Sequence, residues 1–161
     1  MQIYMKEDDF IVSKTDLKGR ITYGNEIFIQ MSGYSEQELL GAPHNILRHE
    51  DMPALVFKLL WDRIKNKHAI NAYVKNRCKN GDFYWVFANV TPSFDKSSNP
   101  IGYYSVRRKP EPKALEVIEP IYKALLDAQK RGGIAESEKL LHETLHKEGV
   151  TYDEFIINLQ K

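Results

Sequence analysis

Residues 48–51 read Arg48-His49-Glu50-Asp51, a cation, a titratable imidazole and two carboxylates in four positions. A guanidinium offers a planar fork of donors that suits phosphate oxygens, and a carboxylate accepts from sugar hydroxyls. The loop therefore has the groups to hold the pyrophosphate and ribose of a dinucleotide. The same residues also suit a solvated loop closed by its own salt bridges. Phe57 and Trp61 stand four apart, on one face of any helix that carries them. Flat rings so placed can line a slot for a flat ligand or simply fill a core. Asn76 ends a strand-like run, and its amide is both donor and acceptor; a strand-end turn residue is the plainer reading. Asn25 follows Gly24 and suits a helix N-cap.

Other chemistries find less support. The single cysteine, Cys78, excludes an intramolecular disulfide framework and a Cys-rich zinc site. His44 and His49 are five apart without a cysteine nearby, and His142 and His146 lie four apart in a charged helical run, usually a solvated face. No metal site is expected. No nucleophile elbow, partnered acid–base pair or Gly-rich nicotinamide fingerprint is present, so an enzyme is not expected.

These residues must be positioned by one domain's worth of chain. The 161 residues are 42% hydrophobic and 28% charged, with a formal net charge of +1. That balance describes a soluble globular protein without the charge needed to seek nucleic acid or anionic lipid. No apolar run reaches the ~20 residues of a membrane span, and the N-terminus lacks the pattern of a signal peptide. The expected address is the cytoplasm. The near-neutral total conceals a division. Residues 1–110 carry 16 Lys/Arg against 12 Asp/Glu, and residues 111–161 carry 7 against 10. Pro110 and Pro112 mark the change. The expected organisation is a segment 1–9, a domain 10–110 and a helical extension 111–161.

Along the chain, Phe10–Thr15 and Arg20–Tyr23 read as strands about a Gly-ended turn. A helix capped by Asn25 carries Ile27, Phe28 and Met31 and stops at Gly33, and Ser35 with Glu38 forms a capping box for a short second helix. Residues 43–52 have no clear period. A longer helix follows Pro53, with Val56, Leu59, Leu60 and Ile64 on its apolar side. Strands are expected over 69–77, 83–91 and 101–108, with Asn80-Gly81 turning the first pair and 92–99 as a polar loop. The order β-β, helices, β-β-β predicts an α+β arrangement: an antiparallel sheet with helices on one face. Beyond Pro112, Leu115, Ile118, Tyr122 and Leu125 form a helical stripe, which Gly132-Gly133 interrupts. A second run bears Leu141 and Leu145, and Thr151 with Glu154 caps a last helix.

This order resembles the PAS sensor fold, with a five-stranded antiparallel sheet. In detail, the runs Phe10–Leu17, Ile21–Asn25, Ser32–Ser35, Pro43–Pro53, Val74–Arg77 and Lys79–Val86 resemble the flavin-binding PAS domain of aerotaxis receptors, and Glu119–Leu125 continues the likeness. The resemblance implies FAD as cofactor. Arg48, His49 and Asp51 match positions needed for FAD binding, and Asn25 and Asn76 match flavin-related positions. Phe57 and Trp61 are implied as pocket lining. Ile70 departs from the pattern, standing where aerotaxis receptors carry a second tryptophan. Arg107 falls where light-sensing PAS domains place a glutamine that rearranges with the flavin's state, so an arginine there could respond to charge gained on reduction; Arg108 and Lys109 beside it favour an ordinary strand-edge cation. The region 43–50 lacks the cysteine that light-sensing relatives use for a flavin adduct, which turns the reading from light to redox.

The implied function is a redox sensor for energy taxis. With no span or output domain in view, the resemblance is to the stand-alone PAS partner of a bipartite energy-taxis system. Its implied partners are a second copy of the chain, as a homodimer, and a separate membrane-bound chemotaxis transducer that recruits it to the membrane's inner face. The alternatives are a haem-binding PAS sensor using His44, His49 or His68, a cofactor-free interaction module and a small flavin enzyme. The helices beyond 112 are expected to dock on a partner or on their own sheet.

Overall fold

The structure is a computed structural model that describes residues 1–161. Its elements are β1 (Ile11–Thr15), β2 (Ile21–Gly24), α1 (Glu26–Ser32), α2 (Glu36–Leu39), a 3-10 turn (His44–Leu47), α3 (Ala54–Lys65), β3 (Ile70–Arg77), β4 (Phe83–Phe94), β5 (Pro100–Arg108), α4 (Pro112–Glu148) and α5 (Tyr152–Gln160). Local chemistry sets their ends. The Asn25 side chain accepts from Phe28 N, and Gly33 closes α1 at φ 77°. Ser35 and Thr151 each form a reciprocal capping box, with Glu38 and Glu154 respectively. In the β1–β2 turn, Asp16 Oδ1 accepts from the backbone N–H of Lys18 and of Arg20, both at 2.9 Å.

The five strands form one antiparallel sheet in the order β2-β1-β5-β4-β3. β4 runs on to Phe94, past the polar loop expected from Pro92. Pro92 is paired with Tyr103 of β5, whereas β3 stops pairing at Val90. Pro92 thus lies at a local sheet edge, where a missing N–H is tolerated. Gly102 sits where β5 passes β1 so closely that an added Cβ would meet the Thr15 carbonyl. Gly102→Ala is expected to cost about 1–3 kcal/mol, seen as a lower urea midpoint at unchanged slope.

Alternation along the strands divides the sheet into two buried faces. Ser13, Val74, Asn76, Ala88, Ser105 and Arg107 point to the side that faces the 3-10 turn and α3, where they line a cavity. Tyr73, Trp85 and Phe87 point the other way and are buried as well. The C-terminal helices cover that second face over β3 and β4. The Tyr122 ring lies 5.9 Å from Trp85 and its hydroxyl donates to Tyr73 O at 2.6 Å. Tyr73 donates to Ile156 O, and Tyr152 to Asn71 O.

Of the two dispositions open for the extension, the structure has it folded onto its own sheet. Ala114, Ile118, Tyr122, Leu125 and Ile156 belong to the same apolar cluster as Phe28, Leu55 and Val86. α4 breaks at Gly132 (φ −146°) and Gly133 (φ 76°). The second half folds back on the first, with Ser137 Oγ donating to Leu125 O. The helix pair wraps the β3 edge to reach α3, where Gln129 accepts from Ala54 N at 2.9 Å and Lys58 pairs with Glu138 at 3.6 Å.

Candidate functional site

Between the inner sheet face and the helices lies a cavity of about 230 Å³. Ligand pockets commonly run ~300–1,000 Å³, so this one takes a single ring system and leaves the rest of a larger ligand at the mouth. Twenty residues line it, including Ser13, His44, Arg48, Trp61, Asn76 and Arg107. Three are cations (Lys18, Arg48 and Arg107), and none is an Asp or Glu. The cavity is therefore positively charged with no internal compensation.

Four of the seven candidate residues meet there: Arg48, Phe57, Trp61 and Asn76. α3 supplies Phe57 and Trp61 one turn apart. The Arg48 guanidinium lies 4.3 Å from the Phe57 ring centroid, a cation–π contact. A backbone bridge between Arg48 and Asn76 ties the end of the 3-10 turn to β3. Trp61 meets Tyr103 edge-on at 5.5 Å, and its ring packs so near Gly19 that a Cβ there would sit 3.2 Å away. Ile70 is buried beside this pair, with Ile64 and Tyr103. Asn76 is 3% exposed, and its Nδ2 has no hydrogen-bond partner.

The other three candidates lie outside the lining. Asn25 spends its amide on the fold: Oδ1 accepts from Val12 N and Phe28 N, and Nδ2 donates to Phe10 O. His49 packs edge-on to Phe83, and its Nδ1 accepts from Asp51 N at 3.0 Å. Burial and the Lys75 charge hold its pKa below the ordinary imidazole value. Asp51 is exposed and pairs with Lys75 at 2.7 Å, a bond that draws its carboxyl below the usual range. His49, Asp51 and Lys75 thus form a polar rim beside the bridge that positions Arg48.

Sequence reasoning missed the deep end of the cavity. Arg107 is 3% exposed, not a strand-edge surface cation. The period-two alternation of β5 turns it inward and sends Arg108 out. Its Nη2 donates to Ser13 Oγ at 2.8 Å, its Nη1 meets His44 Nε2 at 3.2 Å, and its guanidinium lies 4.6 Å from the Phe28 centroid. Its Nε has no partner, nor does the buried hydroxyl of Tyr84. Arginine cannot accept, so the contact requires the Nε2 lone pair of a neutral, Nδ1-protonated His44. Burial, followed by the Arg107 charge, pushes the His44 pKa down to about 3. His44 is the sole histidine lining the cavity. Its Nε2 faces both Arg107 Nη1 and Ser13 Oγ, each at 3.2 Å. Cys78 lies outside the lining, donates to Met31 O, and is pushed up to about 11 by burial.

Two unmatched buried groups of the lining, Asn76 Nδ2 and Arg107 Nε, can donate, so the cavity fits a flat ligand with acceptors along its edge. The donor set and the aromatic pair Phe57 and Trp61 fit the isoalloxazine ring of a flavin; Arg48 and Lys18 are the other cations of the lining.

The comparisons agree with this geometry. The chain is 43% identical to the aerotaxis receptor of Escherichia coli (strain K12) over 121 residues, 75% of this chain and 24% of the receptor. It is 25% identical over 97 residues to the nitrogen fixation regulatory protein of Klebsiella pneumoniae, 60% of this chain and 20% of that protein. It thus spans about a quarter or less of the curated relatives it matches. Among solved structures, a light-oxygen-voltage domain studied with a flavin analogue superposes with TM-score 0.60 at 18% identity, covering 68% of this chain and 82% of that one. The light state of the blue-light photoreceptor Aureochrome1 LOV gives 0.59 at 21%, over 69% and 88%. No helix is long and apolar enough to cross a membrane. Residues 21–107 match the family described as PAS fold, and since that match spans more than half of a chain whose sheet and cavity have this arrangement, the chain belongs to the PAS family.

Proposed function

We propose that this PAS domain binds FAD and works as a redox sensor for energy taxis, not as an enzyme. The observation that carries the reading is the cavity itself: three lining cations, no lining carboxylate and orphaned donors beside two aromatic rings. Asn76 and Arg107 would meet the ring's acceptors, Phe57 and Trp61 its faces, and Arg48 with Lys18 the phosphates. A bound flavin supplies one- and two-electron chemistry, while the chain supplies binding, orientation and electrostatics. The chain's part is to hold donors at the ring edge, exclude water and pass a change in their hydrogen bonding to the elements they join.

The likeness to an aerotaxis receptor supports the sensing role. On this reading the signal passes to a separate membrane-bound chemotaxis transducer, at the cytoplasmic side of the membrane, and the chain acts as a homodimer.

The test is spectral. The purified chain should be yellow, bleach with dithionite, and release FAD rather than FMN on denaturation. A Soret band would indicate haem, a colourless folded protein would indicate an interaction module, and sustained NAD(P)H oxidation would indicate an enzyme. Ala88 lines the cavity from β4 and is 3% exposed. Ala88→Phe fills the cavity and is expected to abolish flavin retention at preserved secondary structure; a yellow Ala88→Phe protein would place the flavin elsewhere.

A further inference from the structure

The deep end of the cavity contains a buried cation with no anion. Arg107 makes no salt bridge, and no Asp or Glu lines the cavity. Such a charge costs far more to bury than it returns unless something pairs with it. Its two protein partners, Ser13 Oγ and His44 Nε2, are neutral. They come from different elements, β1 and the 3-10 turn, so the guanidinium spans three parts of the fold. The His44 ring is held in turn by stacking on Phe28, with centroids 6.0 Å apart and planes at 14°. Its backbone N–H donates to Gly19 O at 2.9 Å, anchoring the turn to the β1–β2 loop.

We infer that Ser13 and His44 are positioning residues: a neutral acceptor socket that keeps Arg107 charged and aimed at the cavity, where it serves as counter-charge to a ligand edge bearing carbonyl or anionic oxygen. The socket explains why His44 is an imidazole that only accepts here. A carboxylate at His44 would neutralise the guanidinium and remove its pull on a ligand, and an apolar residue would leave Nη1 unmatched. Burial pushes Arg107 down to about 10 and His44 to about 3, so the charged and neutral forms that the socket needs are those present at neutral pH.

For the identity of the ligand this inference rests on the flavin reading, and the experiment separates the two. Infrared difference spectra of the flavin-loaded chain report the ring carbonyls directly. In Arg107→Gln and in His44→Phe, the carbonyl bands should move to higher wavenumber and flavin dissociation should quicken at least about tenfold, the effect of a lost charge-assisted hydrogen bond. His44→Gln, whose amide oxygen can accept, should restore both. Bands and retention unchanged in Arg107→Gln would overturn the inference even with flavin bound. The second measurement needs no ligand. Flavin-free Arg107→Met should melt no lower than the flavin-free wild type, because it removes an uncompensated buried charge. A large drop would make Arg107 a structural residue and sink the proposal. A wild-type chain that takes up no flavin would fail the functional reading alone, leaving this second arm to decide the socket.

Discussion

At pH 5 the ligand-free protein is expected to be about 2 kcal/mol less stable than at pH 7, through His44 alone. Its folded pKa is about 3 against an ordinary imidazole value of 6.5. Between those values the unfolded chain binds a proton that the folded chain refuses, so stability falls as pH falls. The contribution is fully present well above pH 6.5, and its loss reaches about 4 kcal/mol by pH 3. That is a large share of the ~5–15 kcal/mol typical of a domain. His49 acts in the same sense. The lowered carboxyls, among them Asp51, lose their contributions only as pH drops through the carboxylate range. Urea melts at pH 7, 6 and 5 measure the slope, and His44→Gln should flatten most of it. A slope equally steep in His44→Gln would locate the acid sensitivity in another group.

Leu125→Ala and Ile118→Ala are each expected to cost about 2–5 kcal/mol, the range for emptying a buried aliphatic site. Both residues are 1% exposed and lie on α4, in the extension. They share the apolar cluster with Leu55 of α3, so Leu55→Ala should cost a similar amount. The comparison reports how the extension is built. If it were a detachable arm, the α4 substitutions would loosen it while the sheet kept its melting temperature. Packed as it is on Tyr73, Trp85 and the N-terminus of α3, it should unfold with the sheet in one transition. Two separated transitions in far-UV and tryptophan signals would contradict that.

The same packing bears on signalling. Partner docking at the β3–β4 face requires displacing Tyr122 and Ile156, which that face already buries. The helical extension is therefore a competitor for this surface rather than a free landing site. A ligand-driven change that reaches Tyr73, whose hydroxyl donates to Ile156 O, would pass directly into α5.

Much of this architecture was legible in the chain. Capping boxes at Ser35 and Thr151, the cap at Asn25 and the glycine break at 132–133 depend on residues within a few positions of one another. So does the α3 face that carries Phe57 and Trp61. The wedge of charge at 48–51 was legible as a cluster, but not its division. Arg48 turns to the cavity because its backbone bridges to Asn76, while Asp51 is drawn to Lys75, 24 residues away in sequence. Arg107 was hidden by its neighbours. In the run Arg107-Arg108-Lys109 nothing marks one cation as buried, since strand alternation assigns faces only once the sheet decides which face is inside.

The sequence by itself determined the elements, their caps and order, and the placing of Phe57 and Trp61 on one helix face, because these follow from spacings of two to four residues. Tertiary structure alone decided that Ser13, His44 and Arg107, up to 94 positions apart, share one buried hydrogen-bonded group, and that the extension covers its own sheet. Both are long-range choices. They depend on which surfaces exclude water together, and no local pattern encodes the partner that a buried charge or an apolar stripe will meet.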